Sequence, residues 1–386
     1  MPLANGFLAH EQLNGPEDFF PLDLFFCNNC GLAQIGHVVP PEKLFSDYAY
    51  FSSHSIDKLK FYEALAQRIV TQHSLDERSL VIEIGSNDGY LLRYYKARGV
   101  PILGIEPSTN VARVAETIHK IPTIKRFFGQ NLAVELRQQG WRADVIHAHN
   151  VLAHIENLHD FFQSLNLVIR DTGIAVLEVP YVKNLIQNGL YDMIYHEHLY
   201  YFSIKALKYL TDAHRFTIES IELTPNQGGS LNLTIRKRTQ PDNPKELVLA
   251  EEEDLLEVND FRFYADFDAR INQHRRDLRN LIRQVKASGK SIVGYGASAK
   301  GTILLNFCGF NPGHLDFVVD NIEYKQGRYI PGVHIPIREP KALRRTQPDY
   351  CLVLAWNALD EIVTHETLYR SNGGRFIVPF PEIRIW

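Results

Sequence analysis

The chain has 386 residues, which is enough for two or three domains of ordinary size, each with its own core. Hydrophobic residues make up 45% and charged residues 22%, a balance that excludes a largely disordered, collagen-like or coiled-coil protein. The net charge of −4 excludes a broad basic surface for nucleic acid, and no apolar run approaches the roughly 20 residues of a membrane span. We expect a soluble, cytoplasmic protein, since the first residues also lack the features of a signal peptide.

The predicted elements begin after an irregular N-terminal lobe, residues 1–52, that is rich in Pro, Phe and Asn. Apolar residues at helical spacing predict a helix over 55–72. Strand-length apolar runs then alternate with helical patterns, an order typical of a doubly wound parallel sheet in the α/β class. The predicted strands are 80–84, 102–105, 144–148 and 173–179, and the predicted helices lie near 90–98, 110–118 and 157–169.

Two further regions follow. Residues 207–217, 216–223 and 230–236 are expected to complete the first sheet, the last two as an antiparallel hairpin, so that the first α/β domain spans 53–238. A linker and helical segment, 239–290, begins with the turn-rich stretch 240–244. The alternation then restarts and predicts a second, smaller Rossmann-like domain over 291–386. Its predicted strands are 291–295, 315–319, 350–356 and 375–378, and its helices lie near 298–306 and 359–369.

The sharpest local pattern is a glycine turn after the first predicted strand. It comprises Glu83, Gly85, Asn87, Asp88 and Gly89 in the order E-x-G-x-N-D-G. Glycines there let the backbone approach a ligand closely, and the turn presents helix N–H groups at the carboxyl edge of the sheet. Glu106 and Pro107 follow the second strand, where a carboxylate can accept the two hydroxyls of a ribose. The pattern indicates an adenosine-type ligand, and a plain strand-to-helix turn with a surface glutamate is the alternative.

This pattern resembles class I methyltransferases that use S-adenosylmethionine. Asn150 lies just past the third strand, at the edge where methyl donor and acceptor are expected to meet. Further motifs, in order along the chain, resemble sugar C-methyltransferases, which methylate C3 of nucleotide-linked 4-keto-deoxysugars, typically dTDP-linked. The segments that carry this resemblance are 2–5, 20–23, 45–53, 195–198, 228–230 and 294–301.

Methylation next to a ketone requires a base that removes a proton and donors for the enolate oxygen. We expect His198 to be the base, with Glu197 as an orienting or hydrogen-bonding carboxylate and Tyr195 as a donor or proton shuttle. His154 and one of Tyr48 and Tyr50 form a second group of candidates, because the matching family positions line the sugar pocket. A metal bound by the two histidines of His-Glu-His is the alternative, and His196 is expected to be structural and to face away from His198.

A second glycine pattern opens the predicted C-terminal domain. The resemblance implies that Gly296, Ala297, Ser298 and Lys300 lie near the diphosphate of the sugar nucleotide, with Asp320 after the next strand. Taken alone, the same pattern is a dinucleotide fingerprint, which favours an NAD-dependent sugar oxidoreductase or epimerase. An inactive scaffold that binds sugar nucleotides is a third hypothesis. The sequence leaves the exact sugar, the nucleotide base and the oligomeric state open.

The N-terminal lobe carries one C-x-x-C pair, Cys27 and Cys30. Family members bind structural zinc through two such pairs, so half of the pattern is present. Two thiolates do not complete a tetrahedral zinc site. Zinc would therefore need His10 or His37, a partner chain or a longer natural N-terminus, and unligated thiols are the alternative.

Overall fold

A computed structural model describes residues 1–45, 48, 50–224, 226–238 and 248–386 of the chain. In the N-terminal lobe two short antiparallel strands form a hairpin, which the prediction of an irregular lobe had left out. The turn of this hairpin holds Cys27 and Cys30, and the N–H of Cys27 donates to the carbonyl of Leu32 at 2.9 Å. The elements of the lobe are β1 (Leu24–Phe26), β2 (Ala33–Ile35) and α1 (Pro41–Phe45).

The first α/β domain alternates strands and helices, as predicted, because its apolar runs are short and separated by amphipathic segments. Its elements are α2 (Ile56–Gln72), β3 (Val81–Ile84), α3 (Leu92–Lys96), β4 (Ile102–Ile105), α4 (Thr109–Thr117), β5 (Thr123–Ile124), α5 (Gln130–Gln138), β6 (Ala143–His149), α6 (Leu158–Val168), β7 (Ile169–Pro180), α7 (Val182–Gln187), β8 (Tyr200–Tyr201), α8 (Ile204–Ala213), β9 (Phe216–Thr224) and β10 (Ser230–Lys237).

Seven of these strands form one sheet in the order β5-β4-β3-β6-β7-β10-β9. The first five are parallel, and β10 pairs antiparallel with both β7 and β9, which confirms the predicted hairpin. The prediction that 207–217 adds to the sheet was wrong for most of that run. Ser203 caps α8 by accepting from the N–H of Ala206, and Leu207 and Leu210 are buried on one face of that helix.

Two helices, α9 (Val248–Leu255) and α10 (Phe267–Ala287), lead to the second α/β domain, while the predicted linker 240–244 lies outside the described residues. The second sheet has the order β13-β12-β11-β14-β15-β16 and is parallel except for its last strand. The domain comprises β11 (Ile292–Tyr295), α11 (Ala299–Cys308), β12 (Val318–Val319), β13 (Ile337–Arg338), α12 (Lys341–Thr346), β14 (Tyr350–Val353), α13 (Leu359–His365), α14 (Thr367–Ser371), β15 (Arg375–Val378) and β16 (Arg384–Ile385).

Several predicted elements of this domain differ in extent, and the strand predicted over 315–319 is reduced to β12. The strand predicted over 350–356 ends at Val353, and the helix predicted over 359–369 is divided into α13 and α14 at Glu366. Glu366 is fully buried and binds Arg344, so this carboxylate is used in a tertiary ion pair at the break. No helix in the described ranges combines the length and apolarity that crossing a membrane requires.

The loop 191–199 lies between the three parts of the molecule. Tyr191, Met193 and Leu199 belong to an apolar core that also includes residues of the N-terminal lobe, α10 and the second sheet. Just after this loop, β8 pairs antiparallel with β2 of the N-terminal lobe. The first sheet, the lobe and the C-terminal domain therefore all fix this loop in place.

Candidate active site

The glycine turn follows β3 at the carboxyl edge of the first sheet. Gly85 has φ +68°, and a Cβ built there would lie 2.5 Å from Cγ2 of Val151, so no larger residue fits without displacing the neighbouring segment. Glu106, which directly follows β4, accepts from the backbone N–H of Asn87 at 2.9 Å and of Ser108 at 2.8 Å. Pro107, between them, has no N–H to donate. Each oxygen of Glu106 keeps a lone pair for a ligand hydroxyl.

Several buried acceptor atoms surround this turn. Both carboxylate oxygens of Glu83, Oδ1 of Asp88 and Oδ1 of Asn150 lack a hydrogen-bond partner among the described residues, although Tyr90 lies beside Glu83. Burial raises the pKa of Glu83 well above its usual range. Unpartnered buried acceptors are costly, and they indicate a ligand that brings donors or positive charge.

A segment of the N-terminal region lies over this turn. The Asn87 amide donates to the carbonyl of Tyr50 at 3.0 Å and accepts from the N–H of Ser52 at 2.9 Å. Asp88 accepts from the N–H of Ser53 at 3.1 Å through its other oxygen, Oδ2. Asn87 and Asp88, both predicted to bind the cofactor, thus hold the covering segment in place with these atoms.

The two candidate tyrosines of this segment point to different partners. The Tyr48 hydroxyl donates to Oε2 of Glu197 at 3.4 Å, whereas the Tyr50 hydroxyl contacts Nζ of Lys58. Tyr48 therefore joins the predicted catalytic loop directly. Ser46, Asp47 and Ala49 of the same motif lie outside the described residues.

The loop 195–198 forms a buried cluster next to the end of β6. Tyr195 Oη lies 2.8 Å from Nε2 of His198, and the His154 ring packs edge-on against the His198 ring with centroids 4.9 Å apart. The N–H of Leu199 donates to the carbonyl of Ala153 at 2.7 Å and ties the loop to this strand end. Since Val151 contacts the glycine turn, the structure brings the predicted base and the predicted cofactor crevice together.

Glu197 and His196 point away from His198. Glu197 accepts from Asn5 Nδ2 at 2.6 Å and from Tyr48, so the hydrogen bond that orients His198 comes from Tyr195 instead. The other histidine, His196, lies 3.0 Å from the carbonyl oxygen of Pro21 and faces the N-terminal lobe, as expected for a structural residue. The two histidines do not converge on a common metal position.

Burial controls the protonation of this cluster. It lowers the pKa of His198 well below 6.5, so the ring is neutral at pH 7, and lowers that of His154 to about 4. Burial raises the pKa of Glu197 to about 7. A neutral imidazole is the form that a general base needs.

The second glycine loop, between β11 and α11, adjoins the same region. Ser298 caps α11 by accepting from the N–H of Gly301 at 3.1 Å. Lys300 is buried and donates to Oδ1 of Asn357 at 2.7 Å, and Nζ lies 5.2 Å from the ring centroid of Trp356. Burial lowers the pKa of Lys300 to about 8.

A second buried lysine reaches the same loop from the other side. Lys325 Nζ donates to the carbonyl of Ala297 at 2.8 Å and lies 3.6 Å from Oδ2 of Asp320. Asp320 also accepts from the N–H of Ile322 at 2.8 Å. Two buried lysine side chains, Lys300 and Lys325, therefore lie beside the loop that begins at Gly296.

The N-terminal cysteines do not fit a complete zinc site. The described residues contain no group of three or more His, Cys, Asp or Glu placed to hold a metal ion. His10 lies 3.2 Å from the Tyr329 hydroxyl and His37 stacks on Phe20, so both have other partners here, and the site is incomplete in the described residues, as predicted.

Sequence reasoning missed three contacts of this site. Asn5 binds Glu197 and Lys58 binds Tyr50, while Trp356 donates to Asp192 at 2.7 Å and links the loop 191–199 to the second domain. Asn5 belongs to a segment that carried the family resemblance. No local pattern, however, connects it with a residue 192 positions away.

Comparisons with known proteins cover the whole chain. Residues 1–45 match the family model "Putative zinc binding domain", residues 57–221 match "Methyltransferase domain", and residues 225–381 match "C-methyltransferase C-terminal domain". C-methyltransferase NovU of Streptomyces niveus is 34% identical over 387 residues, which cover 100% of this chain and 92% of the relative.

Among solved structures, magnesium protoporphyrin IX methyltransferase of Synechocystis PCC 6803 with bound SAH has 14% identity and a TM-score of 0.38, over 46% of this chain and 83% of that one. A SAM-dependent methyltransferase of Anabaena variabilis has 15% identity and a TM-score of 0.37, over 46% and 84%. The full-length relative and the family models carry the assignment. The chain belongs to the family of S-adenosylmethionine-dependent C-methyltransferases and is a methyltransferase of the class I fold.

Proposed function

We propose that the enzyme methylates C3 of a nucleotide-linked 4-keto-6-deoxysugar, expected as the dTDP form, through an enolate that His198 generates. The observation that carries the proposal is the buried Tyr195–His198 pair beside the glycine turn, with hydroxyl and imidazole 2.8 Å apart. The resemblance of the motifs supports the sugar and its C3 position.

The crevice at the glycine turn fits the methyl donor. S-adenosylmethionine supplies a methyl group on a positively charged sulfur, together with an ammonium group and ribose hydroxyls. Glu106 would accept the ribose hydroxyls, and the free acceptor atoms of Glu83, Asp88 and Asn150 would accept from the ammonium group and stabilise positive charge. Gly85 leaves the space that the ligand needs beside Val151.

His198 would take the proton from C3 of the sugar, with the Tyr195 hydroxyl as donor or shuttle. The electrons of the C3–H bond move into the C3–C4 bond, and the carbonyl electrons move onto the C4 oxygen. C3 then forms the bond to the methyl carbon, and the electron pair of the broken carbon–sulfur bond stays on sulfur. His154 and Tyr48 line the same cluster and are our candidates for donors to the enolate oxygen.

The second glycine loop would hold the diphosphate of the sugar nucleotide. Lys300 and Lys325 place two buried ammonium groups at the start of α11, and Ser298 begins that helix. Lys325 also lies 3.6 Å from Oδ2 of Asp320, and the two lysines together would attract an anionic ligand. Asp192 connects this region to the catalytic loop through Trp356.

The test uses the purified enzyme, S-adenosylmethionine labelled in the methyl group and a dTDP-4-keto-6-deoxysugar. We expect one labelled methyl group on C3, located by nuclear magnetic resonance of the product. In D2O with S-adenosylhomocysteine, we also expect exchange of the C3 hydrogen, which isolates proton removal from methyl transfer.

The variant His198→Ala should lose both exchange and transfer by about two to four orders of magnitude. His365→Ala is the matched control, because His365 is exposed on α13, and it should behave like the native enzyme. Full C3 exchange in His198→Ala would remove His198 as the base. Absence of transfer by the native enzyme, or heat on titration with NAD and none with S-adenosylhomocysteine, would overturn the proposal.

A further inference from the structure

Glu197 is held by the N-terminal segment of the chain. Its side chain is 3% exposed, and each carboxylate oxygen has one donor: Asn5 Nδ2 lies 2.6 Å from Oε1, and Tyr48 Oη lies 3.4 Å from Oε2. The amide donor is short and well placed, whereas the tyrosine contact is long. Asn5 therefore makes the stronger of the two hydrogen bonds that fix the carboxylate.

The backbone that carries Asn5 is fixed in turn by the C-terminal domain. The hydroxyl of Thr302, on α11, donates to the carbonyl of Ala4 at 2.9 Å. Leu8 and Tyr329 exchange two backbone hydrogen bonds of 3.0 and 2.9 Å. The position of the Asn5 amide thus depends on contacts on both sides of it with the second domain.

A small apolar cluster joins the same three parts of the molecule. Ala4 of the N-terminal segment packs with Tyr195 of the catalytic loop and Ile303 of α11. All three side chains are buried, with exposures of 2 to 7%. A shift of α11 would therefore be transmitted both to Tyr195 by packing and to Glu197 through Asn5.

Other titratable groups face Glu197 from each element around it. Tyr48 approaches from the covering segment, Tyr195 from the loop itself and Lys325 from the second domain, while the His154 ring lies near the Glu197 backbone. Burial raises the pKa of Glu197, and the Asn5 amide, the Tyr48 hydroxyl and the Lys325 charge act in the opposite direction. Asn5 is the uncharged, non-titrating member of this set.

We propose that Asn5 is a positioning residue of the active site. Asn5 holds the Glu197 carboxylate toward Tyr48 and makes the protonation of that carboxylate depend on the C-terminal domain. The inference rests on the proposed function for the identity of the sugar substrate, but not for the contact between Asn5 and Glu197. A domain assigned to zinc binding therefore also supplies a residue to the active site.

The test compares Asn5→Leu, which has similar size and no donor, with Asn5→Asp, which adds a second carboxyl group. Loss of a donor to the carboxylate favours the protonated form of Glu197. The pH-dependent limb of kcat/KM that reports Glu197 should therefore move upward by about one unit in Asn5→Leu, and further in Asn5→Asp. The KM for S-adenosylmethionine should not change.

A second readout does not need turnover. Infrared difference titration of the full-length protein without substrate follows the carboxyl band of Glu197, assigned by its loss in Glu197→Gln. We expect an upward shift in both Asn5 variants and a smaller one in Thr302→Val, which removes the hydrogen bond to Ala4 and the longer one to the carbonyl of Ser298. Asn14→Leu, at an exposed position of the same lobe, is the control and should match the native protein.

A uniform fall in rate with an unmoved pH profile and an unmoved infrared titration would show a merely structural role and overturn the inference. If Asn5→Leu does not fold, the shift in Thr302→Val decides in the same way. Failure of the native enzyme to methylate the sugar nucleotide would overturn the proposed function instead, and the infrared titration would still decide on Asn5.

Discussion

The two glycine turns of the molecule stand at equivalent edges of their sheets but carry opposite charges. Around the first turn the buried groups are acidic, namely Glu83, Asp88 and Glu106, and several of their oxygens have no partner in the described parts of the chain. Around the second turn lie two buried lysines, Lys300 and Lys325, which donate to neutral oxygens. We therefore propose that similar local sequences serve a cationic ligand at the first turn and an anionic ligand at the second.

This difference shows why a glycine pattern alone does not identify a ligand. The turn provides space and backbone donors in both domains, whereas the charge of the surrounding side chains selects what enters. In the proposed function, the sulfonium cofactor binds at the first turn and the diphosphate of the sugar nucleotide at the second. Asp192 and Asp320 partly neutralise the positive charge around the second turn. Selection by charge is therefore weaker at the second turn than at the first.

Among changes at the two turns, the largest effect is expected from Gly85→Ala, which tests the space at the first turn. The added Cβ would lie 2.5 Å from Val151, so we expect the affinity for S-adenosylhomocysteine to fall about 10- to 100-fold. Isothermal titration calorimetry measures it. Gly99→Ala is the control, because Gly99 has a similar φ of +75° with nothing within 4 Å of its Cβ. Equal losses in both variants would show that backbone conformation, and not the crevice, is responsible.

Glu83→Gln tests the acidity of the first turn. We expect the affinity for S-adenosylmethionine to fall about tenfold, since a buried carboxylate with free oxygens is replaced by a neutral amide. The melting temperature should not fall, because burial of an unpaired carboxylate opposes folding. A variant that loses stability but keeps its affinity would place the role of Glu83 in the fold.

Lys300→Met tests the positive charge of the second turn. The KM for the sugar nucleotide should rise about tenfold, while the affinity for S-adenosylhomocysteine stays as in the native enzyme. Lys341→Met removes an exposed lysine of the same domain and serves as the control. An unchanged KM in Lys300→Met would show that Lys300 does not bind the sugar nucleotide and that its role is in packing against Trp356.

The smallest effect concerns pH and the buried histidines of the first domain. His154 has a folded pKa of about 4, against 6.5 when unfolded, so the unfolded state binds more protons as the pH falls and stability is lost. At pH 6 this effect lowers the free energy of unfolding by about 0.8 kcal/mol relative to its value at pH 8. Urea unfolding at pH 8 and pH 6 should show a smaller pH dependence for His154→Gln than for the exposed-site control His365→Gln. Equal slopes would contradict the assignment.

Much of the fold is predictable because its signals are local. The apolar runs of β3 and β11 and the glycines that follow them appear within a few residues of one another. The two-residue strands β5, β8 and β13 have no such signal, since they exist only through pairing with distant strands. For α8 the buried residues follow helical spacing, which the prediction overlooked between two sheet-forming runs.

The residues of the candidate site also divide into those with a local sequence signal and those placed only by distant contacts. Tyr195, Glu197 and His198 form one contiguous motif, and the sequence places them together without the fold. The outward direction of His196 was predicted, but that of Glu197 was not, since Glu197 turns toward Asn5 and away from His198. That choice depends on packing between three domains, which leaves no periodic trace in the sequence.

The pairing of β8 with β2 has a consequence for any attempt to isolate the chemistry. The strand that leaves the loop containing His198 is completed by the hairpin that bears Cys27 and Cys30, and not by the seven-stranded sheet. Excision of the first α/β domain would therefore remove the strand that pairs with β8, together with the segment before residue 53 that binds Asn87 at the glycine turn. A shortened form intended to test the proposed base should keep the N-terminal hairpin.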